Sequence, residues 1–388
     1  MSLGLIGTSL RENEFRLPLH PRHLPDIPAR IRQELVVERG YGERYGMSDR
    51  ELEPLVGSLA PRDQILRHSD VVILAKPMEQ DLYSIREGGV LWGWLHFVLY
   101  GDLADIAVER RLTVITWEGM YEAEKVNGRR LHTFGHNNEL AGYAGVLHAL
   151  GRAGIDGRYG PPRRAVVIGH GYAGRASVVA LQAAGFQDIT VYTQRNPAAI
   201  PDAVPGARYG RYAGRPDGGG ALAYDGGGAT PVPFVSVLRE ADIIVNCSVQ
   251  DPEAPVMFVT PDEVAILDHP CLIVDISCDP GMGFPFARTT TFERPTFRVG
   301  RMTVCAVDHT PGYLWDAASW GISQALIPHL ETIAGGRGRW RENPTIADAI
   351  EIEDGMILNR KILSYQDRLD AYPFPRRSQE AVRREQKA

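Results

Sequence analysis

The run Gly169-His170-Gly171-Tyr172-Ala173-Gly174 leaves this chain little freedom over residues 163–194. It follows the apolar stretch AVVI, opens the helical pattern RASVVALQAAG, and is followed by a second apolar run, ITVY. Strand, glycine turn, helix and strand in that order form a βαβ unit. Its first turn lets the backbone approach a pyrophosphate, while the helix N-terminus offers unpaired N–H groups and a favourable dipole. The spacing alone is a weak signal, but in this context it is a strong one. A glycine turn with a purely structural role is the competing reading. The end of the second strand separates the two nicotinamide dinucleotides, because a carboxylate there accepts hydrogen bonds from the ribose hydroxyls. This chain has Tyr192-Thr193-Gln194-Arg195-Asn196 instead. With no carboxylate, and with Arg195 available to pair with a 2′-phosphate, the sequence favours NADP and keeps NAD as the alternative. The bland reading of Arg195 is an exposed surface arginine.

The rest of the chain repeats the α/β rhythm. LGLIG, VVILAKP (71–77) and LTVITWE (112–118) read as strands, with helical patterns such as HLPDIPARIRQEL and LADIAVERR between them. Such alternation implies a parallel sheet covered by helices. NELAGYAGVLHALGRAG (138–154) reads as a long helix leading into the second α/β unit, where ADIIVNCSV (241–249) and CLIVDISCD (271–279) add buried strands. GRYAGRPDGGGALAYDGGGATPVP (210–233) is glycine-rich and aperiodic, and is expected to be a surface loop, with a lid as the alternative. The region after about 310 is expected to be helical and to return to the first domain. The last stretch, PRRSQEAVRREQKA, is expected to fray. The expected fold is α/β, with two Rossmann-like domains, parallel sheets and an interdomain cleft. Residues 1–145 (completed by 310–388) form the substrate domain and 146–309 the dinucleotide-binding domain.

A formal net charge of −6 argues against a general nucleic-acid binder, which carries a basic face. The four cysteines, Cys247, Cys271, Cys278 and Cys305, sit in or beside apolar runs and form no Cys-x-x-Cys pair, so reduced buried thiols and no metal site are expected. No apolar run reaches the roughly 18 residues that a membrane span needs, and a cytoplasmic protein is expected.

Several residues at strand ends have chemistry to offer. Lys76 ends VVILA, and a lysine leaving a buried strand projects where desolvation lowers its pKa. His96 lies in LWGWLHFVLY, Arg16 in NEFRLPLHP before a proline turn, and Glu118 ends LTVITWE. Singly, His96 reads as a core histidine, Arg16 as a surface or ion-pairing group, and Lys76 as a side chain reaching to solvent. As a set in one order, they resemble the alanine dehydrogenase and transhydrogenase superfamily, and within it lysine-forming saccharopine dehydrogenase and carboxyethylornithine synthase. The resemblance runs from Arg16 to the helix after Ser319. It rests on Lys76-Pro77, His96, Arg129-Arg130 with Phe134, Ala141-Gly142-Tyr143-Ala144-Gly145, VDISCDPG, VDHTP (307–311) and FERPTF (292–297).

That resemblance implies an acid–base pair of Lys76 and His96, with Glu118 and Asp279 completing the catalytic set. It implies carboxylate binding by Arg16 and Arg130. The nucleotide would be held by Gly169, Gly171, Tyr172, Ala173, Gly174, Thr193, Arg195, Cys247 and Asp308. The implied activity is reductive joining of an amino-acid amine to a 2-oxo acid, or its reverse. Alternatives are reductive amination of a 2-oxo acid with ammonia and a non-catalytic nucleotide-binding module. The implied partners are small amino-acid and 2-oxo-acid substrates, and a homo-oligomer is left open. One departure is Asp316, in GYLWDAAS, where the family usually carries an arginine. The reversed charge repels a second carboxylate and suits an amine.

Overall fold

The computed structural model describes residues 1–123, 130–225, 230–251, 253–267 and 269–377. The chain divides into two compact units, one of Met1–Gly135 with Trp315 onward, the other of His136–Leu314. The division falls at the start of the helix Gly135–Ala153, whereas the boundary expected at 145/146 lies inside that helix.

In the first unit an eight-stranded sheet runs Met356–Ile357, Ile350–Glu353, Thr113–Thr116, Val90–Gly93, Val71–Ile73, Leu3–Leu5, Leu35–Glu38, Ser58–Ala60. The six strands from the N-terminal region are parallel. Counted along the chain, their order is 3-2-1-4-5-6, so the crossovers reverse direction between Leu3–Leu5 and Val71–Ile73. The two strands from the C-terminal region continue the sheet antiparallel to Thr113–Thr116 and to each other. Each strand feeds both faces, as a pleated ribbon must. Leu3, Leu5, Val71 and Ile73 enter one core layer, and Ile6, Val72 and Leu74 the other.

The second unit repeats this order. Its nine-stranded sheet runs Val232–Pro233, Ala221–Asp225, Arg208–Gly214, Asp188–Thr193, Arg164–Ile168, Ile243–Asn246, Leu272–Asp275, Met302–Cys305, Thr296–Val299. The central six are parallel, again ordered 3-2-1-4-5-6, the arrangement of dinucleotide-binding folds. The expectation of two Rossmann-like domains with parallel sheets holds. No helix among the described residues is long and apolar enough to cross a membrane.

Two stretches differ from the sequence reading. The glycine-rich 210–233 is no loop: Arg208–Gly214 and Ala221–Asp225 pair antiparallel from Gly210↔Asp225 to Gly214↔Ala221. Alternate residues explain it, since Tyr212, Ala221 and Ala223 are buried and the Tyr212 ring stacks on Phe234 at 5.6 Å. Residues 226–229 of that stretch lie outside the described residues. The second difference is IEIEDGMI, expected to be helical, which forms the hairpin Ile350–Glu353 and Met356–Ile357. Its loop is the pair Asp354 and Gly355, both at positive φ (51° and 79°), the geometry of a two-residue hairpin turn. Most of the charged C-terminal stretch, 378–388, lies outside the described residues.

Candidate active site

In the first unit, the carboxyl ends of the strands at the reversal point open on a cavity of about 350 Å³. Lys76 and Pro77 follow Val71–Ile73, and Trp94, Leu95 and His96 follow Val90–Gly93; all five line the cavity, joined by Arg11 and Arg376. The carboxyl edge at such a reversal is where open α/β sheets place ligands. Lys76 and His96, expected as an acid–base pair, therefore share one wall-lined space.

His96 is held there by Glu118. The helical turn Trp117–Gly119 ends the strand Thr113–Thr116. From this turn Glu118 Oε1 accepts the backbone N–H of His96 and, at 3.2 Å, that of Leu95. The same oxygen lies 3.9 Å from His96 Nδ1. His96 has φ 50°, a conformation that costs a non-glycine residue about 1 kcal/mol or more and persists only when its surroundings impose it. Burial pushes the Glu118 carboxyl up, opposed by the N–H groups it accepts from and by the charge of Lys76.

The two arginines expected to hold a carboxylate are placed differently. Arg16 is buried, and its guanidinium is hydrogen-bonded to both carboxylate oxygens of Glu14. It also lies 5.2 Å from the ring centre of Trp94, a cavity residue. Arg130 is half exposed, pairs with Asp348 at 2.8 Å and lies over the Tyr121 ring. Its neighbour Arg129 lies outside the described residues. The arginines on the cavity wall are Arg11 and Arg376. The sequence reading passed over both, because each sits in a polar loop stretch with no periodicity to mark it. Asp316, the departure from the family pattern, has a side chain 68% exposed and accepts from His20 Nε2 at 3.1 Å.

In the second unit the glycine turn has the shape that a dinucleotide requires. Gly169 sits at φ 101°, and a Cβ on Gly174 would lie 2.1 Å from the Gly169 carbonyl oxygen, so the turn and the helix Tyr172–Ala183 touch backbone to backbone. A Cβ on Gly171, at the helix N-cap, would meet nothing within 4 Å. The turn is thus closed behind and open in front, as a pyrophosphate cradle must be. A Cβ on Gly142 would come 2.0 Å from the Ala173 carbonyl, so the helix Gly135–Ala153 braces the same turn.

The other expected nucleotide residues surround this turn or its strands. Thr193 is buried, with Oγ1 accepting the N–H of exposed Arg195 at 3.3 Å. Cys247 packs against the turn, its Sγ 3.3 Å from Ser177 Oγ, and burial raises its thiol to about 12, so it is inert. Asp308 lies 2.6 Å from His309 Nδ1. Asp279 is raised to about 6 by burial and then by the charge of Asp308. His170, within the turn, donates from Nε2 to the carboxylate of Asp202 (3.2 Å), which also holds Arg175. The sequence reading did not single out this trio. Among the described residues no cluster is suited to a metal ion.

Two Rossmann-like sheets, one carrying an open dinucleotide turn and the other a lysine–histidine cavity, define a pyridine-nucleotide type of oxidoreductase architecture. Family models for the N-terminal and C-terminal domains of alanine dehydrogenase/PNT match residues 8–141 and 148–360, and the chain belongs to that family. The alanine dehydrogenase of Mycolicibacterium smegmatis is 24% identical over 375 residues, covering 92% of this chain and 95% of that one. The N(5)-(carboxyethyl)ornithine synthase of Clostridium botulinum is 22% identical over 340 residues, covering 85% and 94%. Among solved structures, an L-alanine dehydrogenase superposes with a TM-score of 0.71 at 16% identity, over 94% of this chain and 99% of that one. The transhydrogenase from Sinorhizobium meliloti gives 0.68 at 16% identity, over 92% and 99%; these two show likeness of fold. The protein is an oxidoreductase of the alanine dehydrogenase/PNT family, and the resemblance read from the sequence is borne out.

Proposed function

We propose that the protein makes or breaks a carbon–nitrogen bond on an amino-acid substrate, joining an amino-acid amine to a 2-oxo acid in the reductive direction. The observation that carries this reading is the meeting of Lys76 and His96 on one cavity wall, with Glu118 fixing the backbone of His96. Forming and collapsing a carbinolamine requires a proton to be delivered to and removed from the same carbon's substituents, which two titratable side chains lining one cavity can accomplish. Arg11 supplies positive charge on the cavity wall for a substrate carboxylate. Arg16, fastened to Glu14, keeps a cation beside Trp94.

The residues that would hold a nicotinamide dinucleotide are Gly169, Gly171 and Gly174, with Tyr172 and Ala173 opening the helix and Thr193, Arg195, Cys247 and Asp308 at the strand ends. When bound, it supplies the hydride chemistry. The absence of a carboxylate after the strand Asp188–Thr193, and the exposed Arg195 there, support NADP over NAD. Asp279, its carboxyl raised to about 6 by its buried setting, would stand at the nicotinamide end.

A second reading, reductive amination with ammonia, is supported by the relatives named alanine dehydrogenase. The deciding experiment follows NADPH oxidation with pyruvate or other 2-oxo acids, offered with ammonia or with amino acids, and identifies products by mass spectrometry. A secondary amine as product supports the proposal, alanine from ammonia alone replaces it with the second reading, and binding without turnover in any pairing overturns both. Lys76→Met and His96→Gln should each lower turnover by about two to four orders of magnitude.

A further inference from the structure

The strand Ile350–Glu353 places a second carboxylate behind the first. In IEIE the isoleucines belong on the core face and both glutamates on the other, because side chains alternate. Glu353 obeys this and is paired with Arg341 at 3.0 Å and Arg337 at 3.5 Å. Glu351 does not, and is buried. The cause is a bulge: Ile350 pairs with Ile115 and Ile352 with the adjacent Val114, so Glu351 is the extra residue. A bulged residue is re-aimed out of the alternation, and this one faces the end of Thr113–Thr116, where the chain turns into Glu118.

Among the described residues no cation forms an ion pair with it. Glu351 Oε1 accepts from Asn359 Nδ2 at 3.0 Å, and the Thr116 hydroxyl lies within reach. The other oxygen, Oε2, is sealed from solvent with no hydrogen-bond partner among the described residues, and so is Oε2 of Glu118. Two buried carboxylate oxygens left unsatisfied on neighbouring groups is a costly arrangement if both are ionised, and a satisfied one if a single proton lies between them. Glu118 is the better seat for the charge. It accepts the N–H groups of Leu95 and His96 and faces Lys76. His96 Nδ1 lies 3.9 Å away, and His132 bonds its backbone.

We propose that Glu351 is a positioning residue that stays protonated and donates its carboxyl O–H to Glu118 Oε2, so that Glu118 keeps the charge with which it holds the His96 turn. Burial first, and then the charge of Glu118, push the Glu351 carboxyl up to about 8. Deprotonating it places two like charges in a site with little water, and the hold on His96 loosens as pH rises through that range. The inference deepens the reading of Lys76, His96 and Glu118 as the working site, yet its first test needs no turnover. In the full chain labelled with δ-¹³C glutamate, one carboxyl resonance should titrate above pH 7. It should vanish in Glu351→Gln and move to lower pH in Glu118→Gln, where the like charge is gone. No glutamate titrating above pH 6, or a high-titrating resonance that survives Glu351→Gln, would overturn the proposal, whatever the substrate proves to be. With a substrate in hand, the fall of kcat/KM on the alkaline side should lose its component near pH 8 in Glu351→Gln, whose amide donates without titrating. An unchanged fall would also overturn it.

Discussion

Glu118 accepts the backbone N–H of His96, and His96 is one of seven described residues other than glycine at positive φ. The acidic residue thus acts on the histidine through its main chain as well as through its ring. Removing the acceptor leaves two N–H groups, of Leu95 and His96, unsatisfied at about 1–3 kcal/mol each when buried. Glu118→Ala should therefore lower kcat/KM on the order of a hundredfold and also lower the melting temperature. Glu118→Gln, which keeps an oxygen acceptor, should cost less stability. Steady-state kinetics with calorimetry on both variants checks this; an alanine variant of full activity would detach Glu118 from the site.

How much of this was legible beforehand differs from element to element. Lys76 and His96 could be read because each ends a continuous buried apolar run, and such runs in α/β chains are parallel strands with their carboxyl ends at the site. The glycine turn was readable because its steric demands are local. Glu351 was not. The pattern IEIEDGMI carries a two-residue hairpin signal in Asp354-Gly355, but it sits in a region where helical stretches on both sides suggest a longer helix. Even with the strand recognised, alternation puts Glu351 outside with Glu353; only the bulge, which depends on how Ile350 and Ile352 seat against the neighbouring strand, turns it inward. Arg11 and Arg16 illustrate the same limit. Arg16 is paired with Glu14, two residues away, while Arg11 lines the cavity, and nothing in their spacing announces it.

The glycine turn offers a pair of substitutions with opposite expected profiles. Gly174→Ala puts a methyl group 2.1 Å from the Gly169 carbonyl, so helix and turn must separate, and both melting temperature and NADPH affinity should fall. Gly171→Ala adds a methyl group in open space. The fold should be unaffected, while the methyl occupies the face where a pyrophosphate would lie. A loss in affinity of roughly tenfold or more, about 1.4 kcal/mol, with an unchanged melting curve is the expected result by fluorescence titration. Equal NADPH binding by Gly171→Ala and the parent would place the nucleotide elsewhere.

Arg195 follows the strand that in NAD-selective folds ends in a carboxylate. If it pairs with a 2′-phosphate, the bond is charge-assisted and worth about 1.5–3 kcal/mol. Arg195→Ala should then raise the KM for NADPH by roughly ten- to a hundredfold and leave that for NADH within about twofold of its starting value. Competition titration with both nucleotides reads the ratio directly. Loss of both affinities together would make Arg195 a general anion contact, and loss of neither would return it to the exposed surface.

Asp279 gives a prediction in which stability and activity move in opposite directions. Its carboxyl is raised from 3.8 to about 6 by burial and the charge of Asp308. Because folding raises this pKa, the folded chain holds the proton more tightly than the unfolded one. The stability contributed by the protonated group is present below about pH 4 and is lost as pH rises to about 6, leaving a deficit of about 3 kcal/mol at most above that. Asp279→Asn is neutral at every pH. It should melt higher than the parent at pH 7.5, and the difference should shrink to nothing near pH 4. The same substitution removes a titratable group from the expected nicotinamide end, so turnover should fall at pH 7.5 even as the melting temperature rises. Melting curves at pH 4 and 7.5 with parallel rate measurements test both halves. A variant less stable at pH 7.5 would show that Asp279 is ionised in favourable company and that its burial does not govern its charge.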